Sequence, residues 1–447
     1  MKKFKLNKLS AIAILLTNSI AMAQNPIIRD QYSADPSARV FGNKVYLFPS
    51  HDIPPYTNKN HENWFSMEDY HVFSSENLTD WTDHGIVVTQ NKVPWVKPDS
   101  FSMWAPDCIE RNGKYYFYFP STPKDSTVAR GFTVGVAIAD KPEGPYKAQE
   151  KPIAGVKGID PNVFIDKNGQ AYLYWSQGNI YAAKLKENML DLDSEPVILA
   201  DLPTKGLKEG PYLFERNGIY YLTYPHVENK TERLEYAVGD NPLGPFTVTG
   251  VIMDESPTGC WTNHHSVIQF KKQWYLFYHH NDLSPEFDKN RSVRIDSLSF
   301  NTDGTIKKVI PTLRGVGLTD ARTEIQIDRY SAIGGGASVA FLNHDDAFKG
   351  WKTVFAKAGA FVQYNAVDFG SKKLKKLTVK ALADKGATIE IRIDAIDGPL
   401  LATVKLNDIQ QWDTITSPIT KFAAGVHNLY VISKGDNTAQ VDWVSFN

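Results

Sequence analysis

Cysteine is nearly missing from this chain of 447 residues, which carries 2. Two thiols make neither a disulfide framework nor a four-thiolate zinc site. An excess of charge is missing too: Lys and Arg number 49 against 50 Asp and Glu. No basic run gathers the cations that a phosphate backbone demands, which excludes a nucleic-acid partner. Beyond the N-terminus no stretch approaches the ~18 consecutive apolar residues of a membrane span. Helical periodicity is scarce. What the chain has instead is aromatic surface, with 21 Tyr, 23 Phe and 10 Trp. Its length is enough for two or three domains with sizeable cores, at roughly 100–200 residues each.

The N-terminus stands apart. Met1 to Lys8 holds four lysines and no acid, Ile12, Ile14, Leu15, Leu16 and Ile20 form an apolar stretch, and Ala21-Met22-Ala23 fits a small-x-small cleavage site. Residues 1–23 therefore read as a secretory signal peptide, too short and interrupted to span a bilayer. Its removal leaves 45 basic against 50 acidic residues, a mildly acidic protein. No cysteine lies near the cleavage point, which argues against a lipoprotein anchor. A periplasmic or secreted protein is expected, off the membrane once the signal is cleaved.

Short strands separated by Gly, Pro and Asn turns fill the rest of the chain. Five segments share one pattern, a first strand, a tight turn and an aromatic second strand. They begin at Asp35-Pro36, Ala105-Pro106, Asp160-Pro161, Gly210-Pro211 and His264-His265. Three turn on Asn-Gly (Asn112-Gly113, Asn168-Gly169, Asn217-Gly218), a type I′ hairpin signal. A further strand succeeds each hairpin, and Gly-Pro-aromatic comes after two of those (Gly144-Pro145-Tyr146, Gly244-Pro245-Phe246). Repeats of four strands at 50–70 residues are the signature of propeller blades. The expected fold is all-β: a five-bladed β-propeller over 24–322 followed by a β-sandwich (jelly-roll) domain over 323–447. The register of the repeats breaks after about Gly317, and the remaining β-rich run has the size of one sandwich.

In a propeller the first strands of all blades converge on one axial pocket. Those positions carry Asp35, Asp107, Asp160, Glu209 and His264. Gathering unpaired acids in one place is costly, because like charges raise one another's pKa and resist burial. Glycoside hydrolysis gives a reason to do so: one carboxyl must be protonated to assist the leaving group, another ionised to activate water. Each acid taken singly also reads as a turn cap. Cys108 and Cys260 read as small core residues, with a disulfide between them left open. The aromatic, acidic insertion from Tyr56 to Tyr70, with Trp64 and Phe65, lengthens the first repeat and reads as a rim that closes over a short substrate, or as a decorated loop.

From Ile28 to Leu318 the chain resembles glycoside hydrolase family forty-three. The resemblance is carried by Ala34-Asp35-Pro36, Trp104-Ala105-Pro106-Asp107, Ile159-Asp160-Pro161, Lys208-Glu209-Gly210-Pro211-Tyr212 and His264-His265-Ser266-Val267. It implies Asp35 as the general base, Glu209 as the general acid, and Asp160 as the third acid that keeps Glu209 protonated and in place. It implies Trp104 as a surface for the terminal sugar or as a core tryptophan, and Arg291, in preference to a surface Arg294, as an arginine on the substrate. His264 matches an axial imidazole near a calcium, and also reads as a core histidine. No cofactor is required on this reading, and a structural calcium is the candidate ion.

The C-terminal region is similar to a family-six carbohydrate-binding module. The carriers are Phe361 to Gly370, Ile389 to Asp394, Gly398 to Leu401, Gln411-Trp412, Gly425 to Tyr430 and Val441-Asp442-Trp443. The resemblance implies Tyr364 and Trp412 as the aromatic pair that sandwiches a sugar. Two departures, Gln440 before the final Asp-Trp and Gln326-Ile327-Asp328 at the opening, also allow a module that only buttresses the propeller.

The N-terminal segment and the resemblances together imply an exported, inverting exo-glycoside hydrolase. It would release terminal α-L-arabinofuranosyl residues from side chains of plant or microbial polysaccharide or oligosaccharide, as a monomer. β-D-Xylosidase and β-D-galactofuranosidase activities are the alternatives within the family, and a non-catalytic carbohydrate-binding propeller is the alternative outside it.

Overall fold

Tight turns set the strand registers. Asn112 and Gly113 have φ of 54° and 73°, and Asn217 and Gly218 of 55° and 83°, the left-handed pair that matches strand twist. Each links its strands across two residues, Arg111 to Lys114 and Arg216 to Ile219. Lys271 and Lys272 make the same turn at 47° and 69°, a conformation that costs a lysine more than a glycine. Asn168-Gly169 departs from the pattern. There Ile165 pairs with Ala171 across a longer loop, closed by Gly169 N–H donating to Asp166 O at 2.8 Å.

The computed structural model describes residues 24–54, 63–421 and 423–447. The expected signal peptide and residues 55–62 of the insertion lie outside the described residues. Ala34–Phe41, Lys44–Ser50, Asp69–Ser75 and Thr82–Thr89 form a first antiparallel sheet in sequence order. Further four-stranded sheets begin at Asp107–Arg111, Ile159–Ile165 and Tyr212–Arg216, and a three-stranded one at Ser266–Phe270. The leading strands touch in cyclic order, and Ala34–Phe41 meets both Asp107–Arg111 and Ser266–Phe270, so the set closes on itself. These sheets have the form of propeller blades.

The N-terminal segment completes the closure. Ile27 N–H donates to Val293 O at 2.9 Å, Ser33 N–H to Arg291 O at 3.0 Å, and Ile295 N–H to the Asn25 side-chain oxygen at 2.8 Å. Residues 25–33 thus run antiparallel along Ser292–Leu298 and give the three-stranded sheet its outer edge. Between successive sheets lie separate apolar layers. One holds Phe48, Tyr70, Phe117 and Phe119, and another Val134, Val163, Leu173 and Trp175. Each such side chain contributes about 1.5–3 kcal/mol by leaving water, so the ring is held by interfaces and leaves its axis to polar groups. Arg39 occupies the axis. It grips Asp107 at 2.5 Å, donates to Val163 O at 2.9 Å, and lies over the Tyr212 ring at 5.2 Å.

After Asp320 the chain forms two more sheets that share one core. One contains Phe361–Asp368, Ala387–Ile393, Leu400–Leu406 and Val426–Ser433; the other contains Trp351–Phe355, Lys376–Ala383, Ile409–Pro418 and Ala439–Phe446. Val362, Ile391 and Val431 from the first meet Val379, Val441 and Val444 from the second, the facing-sheet arrangement of a sandwich. Thr319–Asp320 already pairs with Val367 and Asp368, so this domain recruits chain from residue 319. Cys108 and Cys260 are both free and buried, the first on Asp107–Arg111 and the second in the loop before Ser266–Phe270, as the core reading expects.

Candidate active site

Three residues that precede proline shape the mouth of the ring. Asp35, Asp160 and Gly210 have φ of 45°, 58° and 52° and stand before Pro36, Pro161 and Pro211. For an aspartate this left-handed backbone is strained by about 1–3 kcal/mol, a cost usually met at functional sites. Glycine takes that slot at the third position. Glu209, one residue earlier and with a longer side chain, enters the same space.

That space is a cavity of about 170 Å³ lined by Asp35, Asp160, Glu209, His264 and Arg291, with Trp64, Phe65, Met67, Trp104 and Trp261 as its apolar walls. Every site residue expected from the sequence in the N-terminal domain therefore lines one cavity. Trp64 and Phe65, from the described part of the insertion, stand against Trp261 and Trp104 with ring centres 5.9–6.5 Å apart. Trp261 and Met67 were not singled out in the sequence. Arg294, expected at the surface, is buried and paired with Asp282.

The three acids differ in charge state. Burial pushes the Asp35 carboxyl up, but the Arg291 guanidinium outweighs it, donating at 2.7 and 3.0 Å to its two oxygens, and Ser50 Oγ adds a bond at 2.7 Å. The net effect holds Asp35 at about 2, ionised at any working pH. Arg291 also grips Asp52 through Nε at 2.9 Å and Nη2 at 2.8 Å, which fixes the guanidinium. Asp160 goes the other way: burial first, then the neighbouring Glu209, drive its carboxyl far above the usual range, against one bond from Gly210 N–H at 2.9 Å. Glu209 is raised as well, by burial and by the Asp35 charge.

A fourth acid, which no sequence motif signals, stands behind Glu209. Glu232 is 1% exposed, accepts from Asn263 N–H at 2.7 Å, and hydrogen-bonds the Glu209 side chain. Its other oxygen finds no donor among the described residues. Two carboxylates cannot hydrogen-bond without a proton between them, so the pair carries at least one. The site thus holds a fixed carboxylate facing carboxyls that keep their protons, which is the division that acid–base hydrolysis needs. Asp107, the remaining first-strand acid, is consumed by Arg39, Ser37 Oγ at 2.6 Å and Val163 N–H at 2.7 Å.

The family model of glycosyl hydrolases family 43 matches residues 23–306. The chain belongs to this family. A carbohydrate binding module (family 6) model matches residues 333–447. Among family-43 relatives, a xylosidase/arabinosidase of Humicola insolens is 37% identical over 63% of this chain and 98% of its own length. An arabinoxylan arabinofuranohydrolase of Paenibacillus polymyxa is 27% identical over 93% of this chain and 73% of its own. A crystal structure of a β-xylosidase/α-arabinofuranosidase from a compost microbial metagenome, complexed with xylotriose in a calcium-free form, aligns with a TM-score of 0.57 at 32% identity, covering 65% of this chain and 98% of that one.

One expectation drawn from resemblance needs correction in this family-43 chain. Tyr364 cannot clasp a sugar. It is 0% exposed in the sandwich core, and its hydroxyl accepts from Gln24 Nε2 at 2.9 Å and meets Thr319 Oγ1 at 3.0 Å. Trp412 is half-buried on Ile409–Pro418 of the opposite sheet, so the two rings form no clamp. Burial lowers the His264 pKa, the imidazole lies 3.9 Å from both Asp35 and Asp160, and Asp35 is committed to Arg291. Among the described residues the cluster with metal-type donors is His51, Asp69 and His71, which does not include His264.

Proposed function

We propose that this protein is an inverting, exo-acting glycoside hydrolase that releases terminal α-L-arabinofuranosyl residues from polysaccharide side chains. The observation that carries the reading is the meeting of Asp35, Asp160 and Glu209 in one cavity with opposite protonation preferences. Asp35, kept ionised by Arg291, takes a proton from the attacking water. Glu209 gives its proton to the glycosidic oxygen, and Asp160 restrains Glu209 from ionising. Inversion is the outcome when water attacks opposite the leaving group, with acid and base about 6.5–9.5 Å apart. The aromatic walls from the insertion and from Trp261 leave room for one terminal unit, and Trp104 offers it an apolar face. The five sheets are read as the blades of a five-bladed propeller, whose axis places these side chains together.

The arabinofuranosyl reading draws on the relative that aligns along most of the chain, named an arabinoxylan arabinofuranohydrolase. A β-D-xylosyl substrate is the second reading, favoured by relatives named for both activities. The lysine-rich, apolar start supports export, and N-terminal sequencing of the exported protein should begin at Gln24. A panel of p-nitrophenyl α-L-arabinofuranoside, β-D-xyloside and β-D-galactofuranoside, with wild type, Asp35→Ala and Glu209→Gln, tests the reaction. Wild type should be fastest on the arabinofuranoside, with both variants down by about 10²–10⁴-fold and the first sugar released in the inverted anomeric form by NMR. Near-normal turnover by either variant overturns the assignment of roles. Tight sugar binding with no turnover on any glycoside would make the chain a binding propeller.

A further inference from the structure

A second cavity of about 300 Å³ opens on the far side of Glu209. It shares Trp104, Ile159 and Glu209 with the first and extends past them to Arg130, Phe132, Ser176, Gln177 and Lys208. On the reading that Glu209 protonates the glycosidic oxygen, the sugar that departs with that oxygen lies on the side of Glu209 away from Asp35. The two cavities meet there, so the larger one is the place for the leaving group.

Its lining holds two cations that no carboxylate of the described residues pairs with. Arg130 is exposed and has no ion pair or hydrogen bond with any described residue. Lys208 is 5% exposed, and its ammonium donates to Gly206 O at 3.2 Å without a carboxylate partner among the described residues. Glu235, the acid that attracts it, is engaged by His226 at 2.9 Å and Arg233 at 2.6 Å. Trp104 and Phe132, with ring centres 4.4 Å apart, form an apolar platform beside these groups. The only acid in the lining is Glu209 itself, which is neutral when it is ready to act. An oxygen-rich ring bearing a negative charge answers all of these features, and a neutral sugar leaves both cations unmatched.

We propose that this cavity is the leaving-group subsite and that it favours a sugar unit bearing a carboxylate, a uronate, with Arg130 and Lys208 as its charge partners. The substrate class is then one of terminal neutral sugars attached to, or next to, acidic units of a polysaccharide.

The test compares kcat/KM on matched disaccharides in which the same terminal sugar, in the same linkage, is joined to a hexuronic acid or to the corresponding neutral hexose. Wild type should favour the uronate by about tenfold or more at low salt, and the preference should shrink as salt screens the charges. Arg130→Gln, an exposed change that leaves the core intact, should lose most of that preference through KM. Arg130→Glu should reverse it. Equal kcat/KM on the two disaccharides, or an unchanged preference in Arg130→Glu, overturns the proposal. Its failure is separable from that of the catalytic reading: loss of all turnover in Glu209→Gln with no uronate preference in wild type rejects this subsite alone, whereas full turnover in Glu209→Gln rejects the role of the acid.

Discussion

Glu232 shows what one buried side chain does to its neighbour. Its carboxyl is driven far above the usual range by burial and by Glu209, and its hydrogen bond lowers Glu209 against the lift from burial. Glu232→Gln keeps the shape and the donated hydrogen bond, whereas Glu232→Leu removes the donor and disfavours the ionised form of Glu209. The alkaline limb of kcat should therefore move to higher pH by about one unit in Glu232→Leu and stay nearly in place in Glu232→Gln, as a pH–rate profile would read. Stability responds through the same group. A carboxyl whose folded pKa is raised gives stability that is fully present below its unfolded pKa and is lost as pH rises through the folded one. As pH rises above the ordinary carboxyl range the wild-type Tm should fall more steeply than that of Glu232→Gln. A merely structural Glu232 would leave the rate profile in place.

The strand start is the element that makes the site, and Gly210 is its most exacting position. It has φ of 52°, and an added Cβ would lie 2.9 Å from the Pro225 ring and 3.2 Å from His264. Gly210→Ala should destabilise by about 1–3 kcal/mol and lower kcat by more than tenfold through displacement of Glu209, while a control Gly259→Ala at an open turn should cost stability without that loss; thermal unfolding and steady-state kinetics separate the two. Much of this element was legible in the chain, because Asp35-Pro36, Asp160-Pro161 and Gly210-Pro211 repeat one backbone device with a visible period. Glu232 was not legible: it sits on a third strand (Glu232–Gly239), where no spacing links it to the pocket. Asp52 was hidden for a similar reason, since its tie to Arg291 spans almost the whole ring. Tyr364 was misread although its signal was present. It stands two residues after the buried Val362 in one strand, and that parity points it inward.

At the scale of the molecule, Tyr364 joins parts of the chain that the sequence keeps far apart. Its hydroxyl meets Gln24 from the N-terminal segment and Thr319 from the connection between domains, and the Arg314 guanidinium lies 4.5 Å from its ring centre. Arg314 in turn donates to the carbonyl of Asn365 at 2.8 Å. Tyr364→Phe should lower unfolding stability by about 1–3 kcal/mol, since it strands buried polar groups, and should leave polysaccharide affinity unchanged. Denaturant unfolding and affinity electrophoresis check both halves; weakened sugar binding at full stability would return Tyr364 to a binding role.

The segment that edges the last sheet of the ring also sets a timetable. Gln24 and Asn25 are buried, yet the strand beside Asn25 is made some 270 residues later, and the bond from Gln24 to Tyr364 spans 340. A ribosome that delivers the chain N-terminus first would hold those residues idle until nearly all of it had emerged. The ring would stay unlatched throughout synthesis, and the strands made last would close it. Loss of Gln24 and Asn25 would remove the latch itself.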